Sequence, residues 1–132
     1  MSRFPLIALA CCALAWGDTY PRQQGIDVQH YVFGITVTDD NDELAGETTV
    51  VVRFVKDGVT EIALDLASVA DGKGMTVAGV TSSGAAAPFV HQSGRLILKL
   101  PSAPPAGGLR RYAITYRGVP SDGLKALRNK YG

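Results

Sequence analysis

The chain has 132 residues, of which 46% are hydrophobic and 19% charged, with 15 glycines and 7 prolines. This is the composition of one folded domain rich in turns, and it argues against disorder and against a coiled coil. The 13 Lys and Arg residues nearly balance the 12 Asp and Glu residues, so the charge gives no reason to expect a nucleic acid or an anionic membrane surface as a partner.

Residues 1–15 have the pattern of a secretory signal peptide. Arg3 precedes an uncharged run, residues 4–16, that is too short to span a bilayer as a helix. Residues 13–15, Ala-Leu-Ala, then form a signal-peptidase cleavage site. We therefore expect an exported protein, periplasmic or extracellular, with residues 16–25 as a flexible N-terminal segment.

Cys11 and Cys12 both precede that cleavage site, so cleavage would leave no thiol and no disulfide in the mature chain. A second export route is open, because the letters ALAC loosely match a bacterial lipoprotein signal. Cys11 would then carry a lipid and attach the protein to a membrane. A third interpretation makes this stretch a buried hydrophobic segment of the folded domain.

From Tyr31 onwards, apolar and polar residues alternate with the period of two that predicts β-strands. In the segment YVFGITVT the apolar residues Tyr31, Phe33, Ile35 and Val37 share one face. The segment ELAGETTVVVRF follows after the polar stretch DDNDE. Two strands joined by so short a loop predict an antiparallel hairpin, since a parallel pair needs a longer crossover.

The same alternation recurs in TEIALDLA, MTVAGV, GRLILKL and RRYAITYR, and a short strand PFVHQ is predicted to pair with GRLILKL through Ser93 and Gly94. Gly, Pro and Ser mark TSSGAAAP, PSAPPAGGL and RGVPSDGL as loops. We therefore predict an all-β fold, an antiparallel β-sandwich or saddle-like sheet of about six to eight strands. It would occupy residues 26–118, with a C-terminal tail or linker at 119–132.

The side chains match none of the common motifs for catalysis or metal binding. His30 and His91 are far apart and lack the spacing of a zinc-binding helix. The stretch DDNDE lacks the glycine and glutamate positions of a calcium loop, and Ser93 is in no G-x-S-x-G elbow. Glu61 and Asp65 share a polar strand face, where solvated surface is the ordinary role. We assign no catalytic residue, no metal ligand and no cofactor to this chain.

The order of these segments resembles the N-terminal domain of the M1-family zinc aminopeptidases, the aminopeptidase N and leukotriene A4 hydrolase group. The most specific matches are residues 30–31, His-Tyr, then Leu44-x-Gly46 and Tyr116-x-Gly118, with DGL and NKYG after them. The resemblance runs from about residue 26 to residue 132.

This resemblance implies that the family's G-x-M-E-N motif, H-E-x-x-H zinc helix, further Glu ligand and catalytic Tyr would all follow Gly132. The chain would then be a fragment, inactive alone, and zinc would belong only to the parent enzyme. Its partner would be the catalytic domain, in cis or from a neighbouring reading frame. We expect part of the surface that docks on that domain to consist of Tyr116, Val119, Leu124, Leu127 and Tyr131.

Two other functions stay open at the level of sequence. The chain could be an autonomous secreted β-sandwich of immunoglobulin-like type that binds a protein or a carbohydrate, because a fold alone does not fix a function. It could also be a small hydrolase whose site matches none of the motifs considered above.

Overall fold

The computed structural model describes residues 23–38 and 40–121. These residues form strands and turns, and none of them belongs to a helix that could cross a membrane. The predicted signal peptide, Cys11 and the chain from residue 122 lie outside this range. The strands are β1 (Ile26–Val37), β2 (Leu44–Phe54), β3 (Glu61–Asp65), β4 (Gly74–Ser82), β5 (Ala85–Ala86), β6 (Phe89–Gln92), β7 (Arg95–Lys99) and β8 (Leu109–Val119).

The described strands form two antiparallel sheets. The large sheet has the order β1-β2-β8-β4-β5, and the small sheet has the order β3-β7-β6. The all-β prediction is therefore confirmed, and so is the predicted hairpin of β6 and β7, in which Gln92 pairs with Arg95. The segment TSSGAAAP differs from its prediction as a loop, because Ala85 and Ala86 pair with the end of β4.

The hydrophobic core lies between the two sheets. Along β2 every second residue is buried, as its alternating pattern predicts, and the inward residues of β3, β7 and β8 complete the layer. The buried hydrophobic residues are Leu44, Val50, Val52, Phe54, Ile62, Val80, Leu96, Leu98, Leu100, Tyr112, Ile114 and Tyr116.

Strand β1 changes its register against β2 at a β-bulge. Val28 pairs with Val52, but His30 already pairs with Val51, so Gln29 is the extra residue. Side chains directly opposite each other in an antiparallel pair lie on the same face. The bulge therefore keeps Val28 and then Tyr31 on the side of the sheet that carries the core.

Candidate functional site

The two glycine motifs singled out in the sequence are neighbours in the large sheet. Leu44 pairs with Gly118, and Gly46 pairs with Tyr116. A β-carbon placed on Gly46 would lie 2.6 Å from two ring carbons of Tyr116, a distance that real β-carbons do not show. Any side chain at position 46 would displace the ring of Tyr116 from the core side of β2, so this position requires glycine.

The phenol of Tyr116 forms a buried hydrogen bond. Its oxygen lies 2.9 Å from the hydroxyl oxygen of Thr48, which is the one buried polar residue in the described part of the chain. This bond satisfies both hydroxyl groups inside the apolar layer, where an unpaired one would be costly. Gly46, Thr48 and Tyr116 thus form one packing unit that fixes β8 against β2.

Gly118 packs against the other neighbour of β8. A β-carbon there would collide with the carbonyl oxygen of Gly74 on β4, which pairs with Val119. Both glycines of the two motifs therefore allow a close approach of atoms on neighbouring strands. In the part of the chain that the structure describes, Gly46 and Gly118 therefore serve strand packing.

The two histidines are held in different sheets. His30 lies exposed on β1 in the large sheet, and His91 lies on β6, at the edge of the small sheet that is opposite β3. The Nε2 atom of His91 is 2.9 Å from the carbonyl oxygen of Leu66, so that ring is tied to backbone. Within residues 23–38 and 40–121, no three His, Cys, Asp or Glu side chains gather closely enough to hold a metal ion.

Several acidic side chains form surface ion pairs across strands. Asp65 accepts a hydrogen bond from Arg95 at 3.3 Å, and Glu61 pairs with Lys99, both between β3 and β7. Glu61 and Asp65 share a polar strand face in the sequence. In the structure each of them is paired with a basic side chain. Exposed pairs of this kind add little stability, and they form no acid/base constellation.

The residues predicted to dock on a catalytic domain lie in different surroundings. Tyr116 is buried, with 9% of its surface exposed, and Val119 is half-buried at the end of β8. Leu124, Leu127 and Tyr131 lie outside the described residues. That docking surface stays a prediction, and the structure adds a different exposed apolar surface.

This second surface lies on β1. The side chains of Tyr31, Phe33, Ile35 and Val37 are all exposed, Phe33 to 62%. We call these four residues the β1 apolar face. The rings of Tyr31 and Phe33 stack with their centroids 5.7 Å apart and their planes 12° from parallel. Large contiguous apolar patches on folded proteins often mark interaction surfaces, so the β1 apolar face is a candidate for one.

Tyr31 stands where the β1 apolar face meets the small sheet. Its partial burial, together with the negative charge of Asp65 on β3, raises its pKa above the ordinary value of 10.0. The phenol therefore keeps its proton to a higher pH than an ordinary tyrosine does.

Three comparisons place this fold among known proteins. No protein-family model matches the chain, and no curated protein matches it. Solved structures do. A two-domain M1 zinc metallopeptidase variant bound to L-arginine shares 27% identity over 78% of this chain and 22% of its own, with a TM-score of 0.64.

Two further structures agree with this match. A variant of the M1 zinc metallopeptidase from Deinococcus radiodurans, bound to a Tyr-Ser-Ala substrate, shares 28% identity over 75% of this chain and 22% of its own, with a TM-score of 0.64. A two-domain M1 zinc metallopeptidase variant bound to L-tryptophan shares 28% identity over 81% of this chain and 24% of its own, also with a TM-score of 0.64.

The chain spans less than a quarter of the length of each of these three enzymes. The match extends over most of the residues described here, and it agrees with the order of motifs in the sequence. The described β-domain has the fold of the N-terminal domain of the M1 zinc metallopeptidases.

Proposed function

We propose that this chain serves as the non-catalytic N-terminal β-domain of an exported M1-type zinc aminopeptidase, which removes N-terminal amino acids from peptides. The observation that carries the proposal is the structural match, with 27% to 28% identity over 75% to 81% of the chain. The ligands of the similar enzymes, a free amino acid in two of them and a short peptide in another, support this class of substrate.

In this proposal the domain supplies a rigid β layer and the catalytic polypeptide supplies the zinc chemistry. The described histidine of β6 is tied to backbone, and Glu61 and Asp65 are paired with cations. Zinc needs a set of N, S or O ligands that converge on one point. Those ligands would come from a catalytic domain encoded in cis or by a neighbouring reading frame.

The nucleotide sequence downstream of the codon for Gly132 tests this proposal directly. We expect a frame that encodes G-x-M-E-N and H-E-x-x-H, either continuous with this chain or next to it. A stop codon followed by unrelated sequence would contradict the proposal and favour an autonomous binding module.

An activity assay gives a second test. The purified 132-residue chain should release no amino acid from an aminoacyl anilide, with or without added zinc. The polypeptide that includes the downstream frame should release it, and a zinc chelator should abolish that release. Robust turnover by the clean 132-residue chain would favour a small hydrolase instead.

Export is tested by the N-terminus of the protein made in its own host. Processing by signal peptidase predicts a mature chain that begins at Trp16, and lipoprotein processing predicts a lipid on Cys11. Mass spectrometry of the intact protein distinguishes these two forms. An unprocessed chain that begins at Met1 would contradict export.

A further inference from the structure

The β1 apolar face lies on the core side of the large sheet, although it is open to solvent. Tyr31 pairs with Val50, and Phe33 pairs with Thr48. Directly paired residues lie on the same face of a sheet, yet Val50 and Thr48 are only 0% and 7% exposed, whereas Phe33 is 62% exposed. One face of the large sheet is therefore covered along β2 and uncovered along the second half of β1.

The uncovered part begins after the first half of β1. Ile26 and Val28, in the first half of β1, pack against the core. Tyr31 is still close enough to Asp65 of β3 for the carboxylate to affect its pKa. Beyond it, Phe33, Ile35 and Val37 have no covering layer in the described part of the chain. The core of this domain is thus complete at one end of β1 and open at the other.

The chemistry of β1 suits a partner that is itself apolar. From His30 to Val37 the strand carries no Asp, Glu, Lys or Arg. In the described residues β1 pairs with β2 alone, so it is an edge of the large sheet. Natural edge strands are usually protected by charged side chains, prolines or a covering element. Residues 30–37 contain neither a charged residue nor a proline. A covering element would therefore be the protection for this half of the edge strand.

The chain leaves the large sheet beside this open end. Leu44 pairs with Val37 on one side and with Gly118 on the other. The end of β8 is therefore two strand spacings from Val37, about 10 Å. A polypeptide that continues from β8 starts within reach of the β1 apolar face. In the structurally similar enzymes the matched part is 21% to 24% of the chain, so much further polypeptide accompanies it.

We propose that the β1 apolar face is the surface on which the polypeptide that follows β8 in an M1-type enzyme packs, covering Tyr31, Phe33, Ile35 and Val37. This inference rests on the proposed function, whose downstream polypeptide supplies the covering layer. A second copy of this chain fits less well. Pairing of two β1 edges would lay the strands side by side and leave the core side of Phe33 and Ile35 open.

Protection of a single thiol tests the inference. In a background with Cys11→Ser and Cys12→Ser, Phe33→Cys places a thiol on the β1 apolar face. Leu109→Cys is the matched control, because Leu109 is also 62% exposed but pairs with Arg53 at the opposite end of the large sheet. Each variant is made as the 132-residue chain and as the polypeptide extended through the downstream frame, and the rate of maleimide labelling is measured.

We expect the thiol at position 33 to react quickly in the 132-residue chain and about tenfold more slowly in the extended polypeptide, since thiol reactivity follows exposure. The thiol at position 109 should react equally fast in both. If Phe33→Cys does not give a folded protein, Ile35→Cys takes its place.

Two results would overturn the inference while leaving the proposed function intact. One is equal labelling at position 33 in both polypeptides when the extended one is an active aminopeptidase. The other is protection at position 33 in the 132-residue chain that disappears on dilution, which would assign the face to a second copy. An extended polypeptide without peptidase motifs or activity would reject the proposed function itself, and this inference with it.

Discussion

Gly46 and Tyr116 lie directly opposite each other on β2 and β8, and the ring of Tyr116 occupies the space in which a side chain at position 46 would stand. In the sequence they belong to two separate short motifs, Leu44-x-Gly46 and Tyr116-x-Gly118, 70 positions apart. In the structure each motif supplies what the other needs: one provides the ring and the other provides the space for it. The two motifs are one packing unit.

The first prediction concerns Gly46→Ala. The added methyl group must displace the ring of Tyr116, and overpacking of this kind lowers the free energy of unfolding by roughly 1–3 kcal/mol. Urea denaturation measures the change. Gly79→Ala is the control, because nothing lies within 4 Å of a β-carbon at that position. Equal stability of the two variants would show that Tyr116 does not depend on the space above Gly46.

The second prediction concerns the hydrogen bond between Tyr116 and Thr48. Tyr116→Phe leaves the hydroxyl of Thr48 buried without its partner, which costs about 1–3 kcal/mol. Thr48→Val leaves the phenol without a partner, at a similar cost. Because replacing both polar groups removes both penalties, the double variant should lose less than the sum of the two single variants. Additive losses in urea denaturation would mean that the two hydroxyl groups do not interact.

Much of the fold follows from the alternation in the sequence. The strand β2 shows why, since buried residues alternate with more exposed ones along its whole length, as the pattern predicts. The hairpin at Ser93 and Gly94 follows from turn chemistry. The strand β5 is only two residues long, and no periodic pattern can be recognised over such a length.

The use of each face could not be predicted in the same way. The alternation shows that Tyr31, Phe33, Ile35 and Val37 share a face, but not whether another layer covers it. That depends on how far the small sheet extends, which is set by the pairing of β3 with β7 and β6. The same limit applies to Tyr116, which we expected on a docking surface and which is buried in the core. Its hydrogen-bond partner, Thr48, can be identified only after β2 and β8 are paired.

The third prediction concerns the ionisation of Tyr31. Partial burial and the charge of Asp65 raise its pKa, so Asp65→Asn should make Tyr31 titrate at lower pH. The ultraviolet absorbance of tyrosinate, taken as the difference from the same protein with Tyr31→Phe, follows this single group. Asp71→Asn is the control, since Asp71 lies in the turn before β4. An unchanged titration in Asp65→Asn would show that the carboxylate does not act on Tyr31.

The fourth prediction follows from the sign of the same shift. Burial raises the pKa of Tyr112 as well, with Arg110 opposing the effect. Both phenols bind their protons more tightly in the folded chain than in the unfolded one. Their contribution to stability is fully present below pH 10, the usual pKa of tyrosine, and is lost as the pH rises through the raised values. Stability to urea should therefore fall in alkaline solution, and less steeply in Tyr31→Phe. A fall that is equally steep in this variant would contradict a raised pKa at Tyr31.

The last prediction concerns the two-residue turn between β6 and β7. Ser93 has a φ of 52° and Gly94 a φ of 74°, which is the combination of two positive angles found in type I′ hairpin turns. A serine pays a steric cost in this left-handed region, whereas asparagine enters it readily and Asn-Gly is the preferred pair. Ser93→Asn should therefore raise the free energy of unfolding by up to about 1 kcal/mol. Ser102→Asn, at an exposed position that does not have a positive φ, should give no such gain. If both variants gained equally, the benefit would come from added polarity, and the turn at Ser93 would not be under strain.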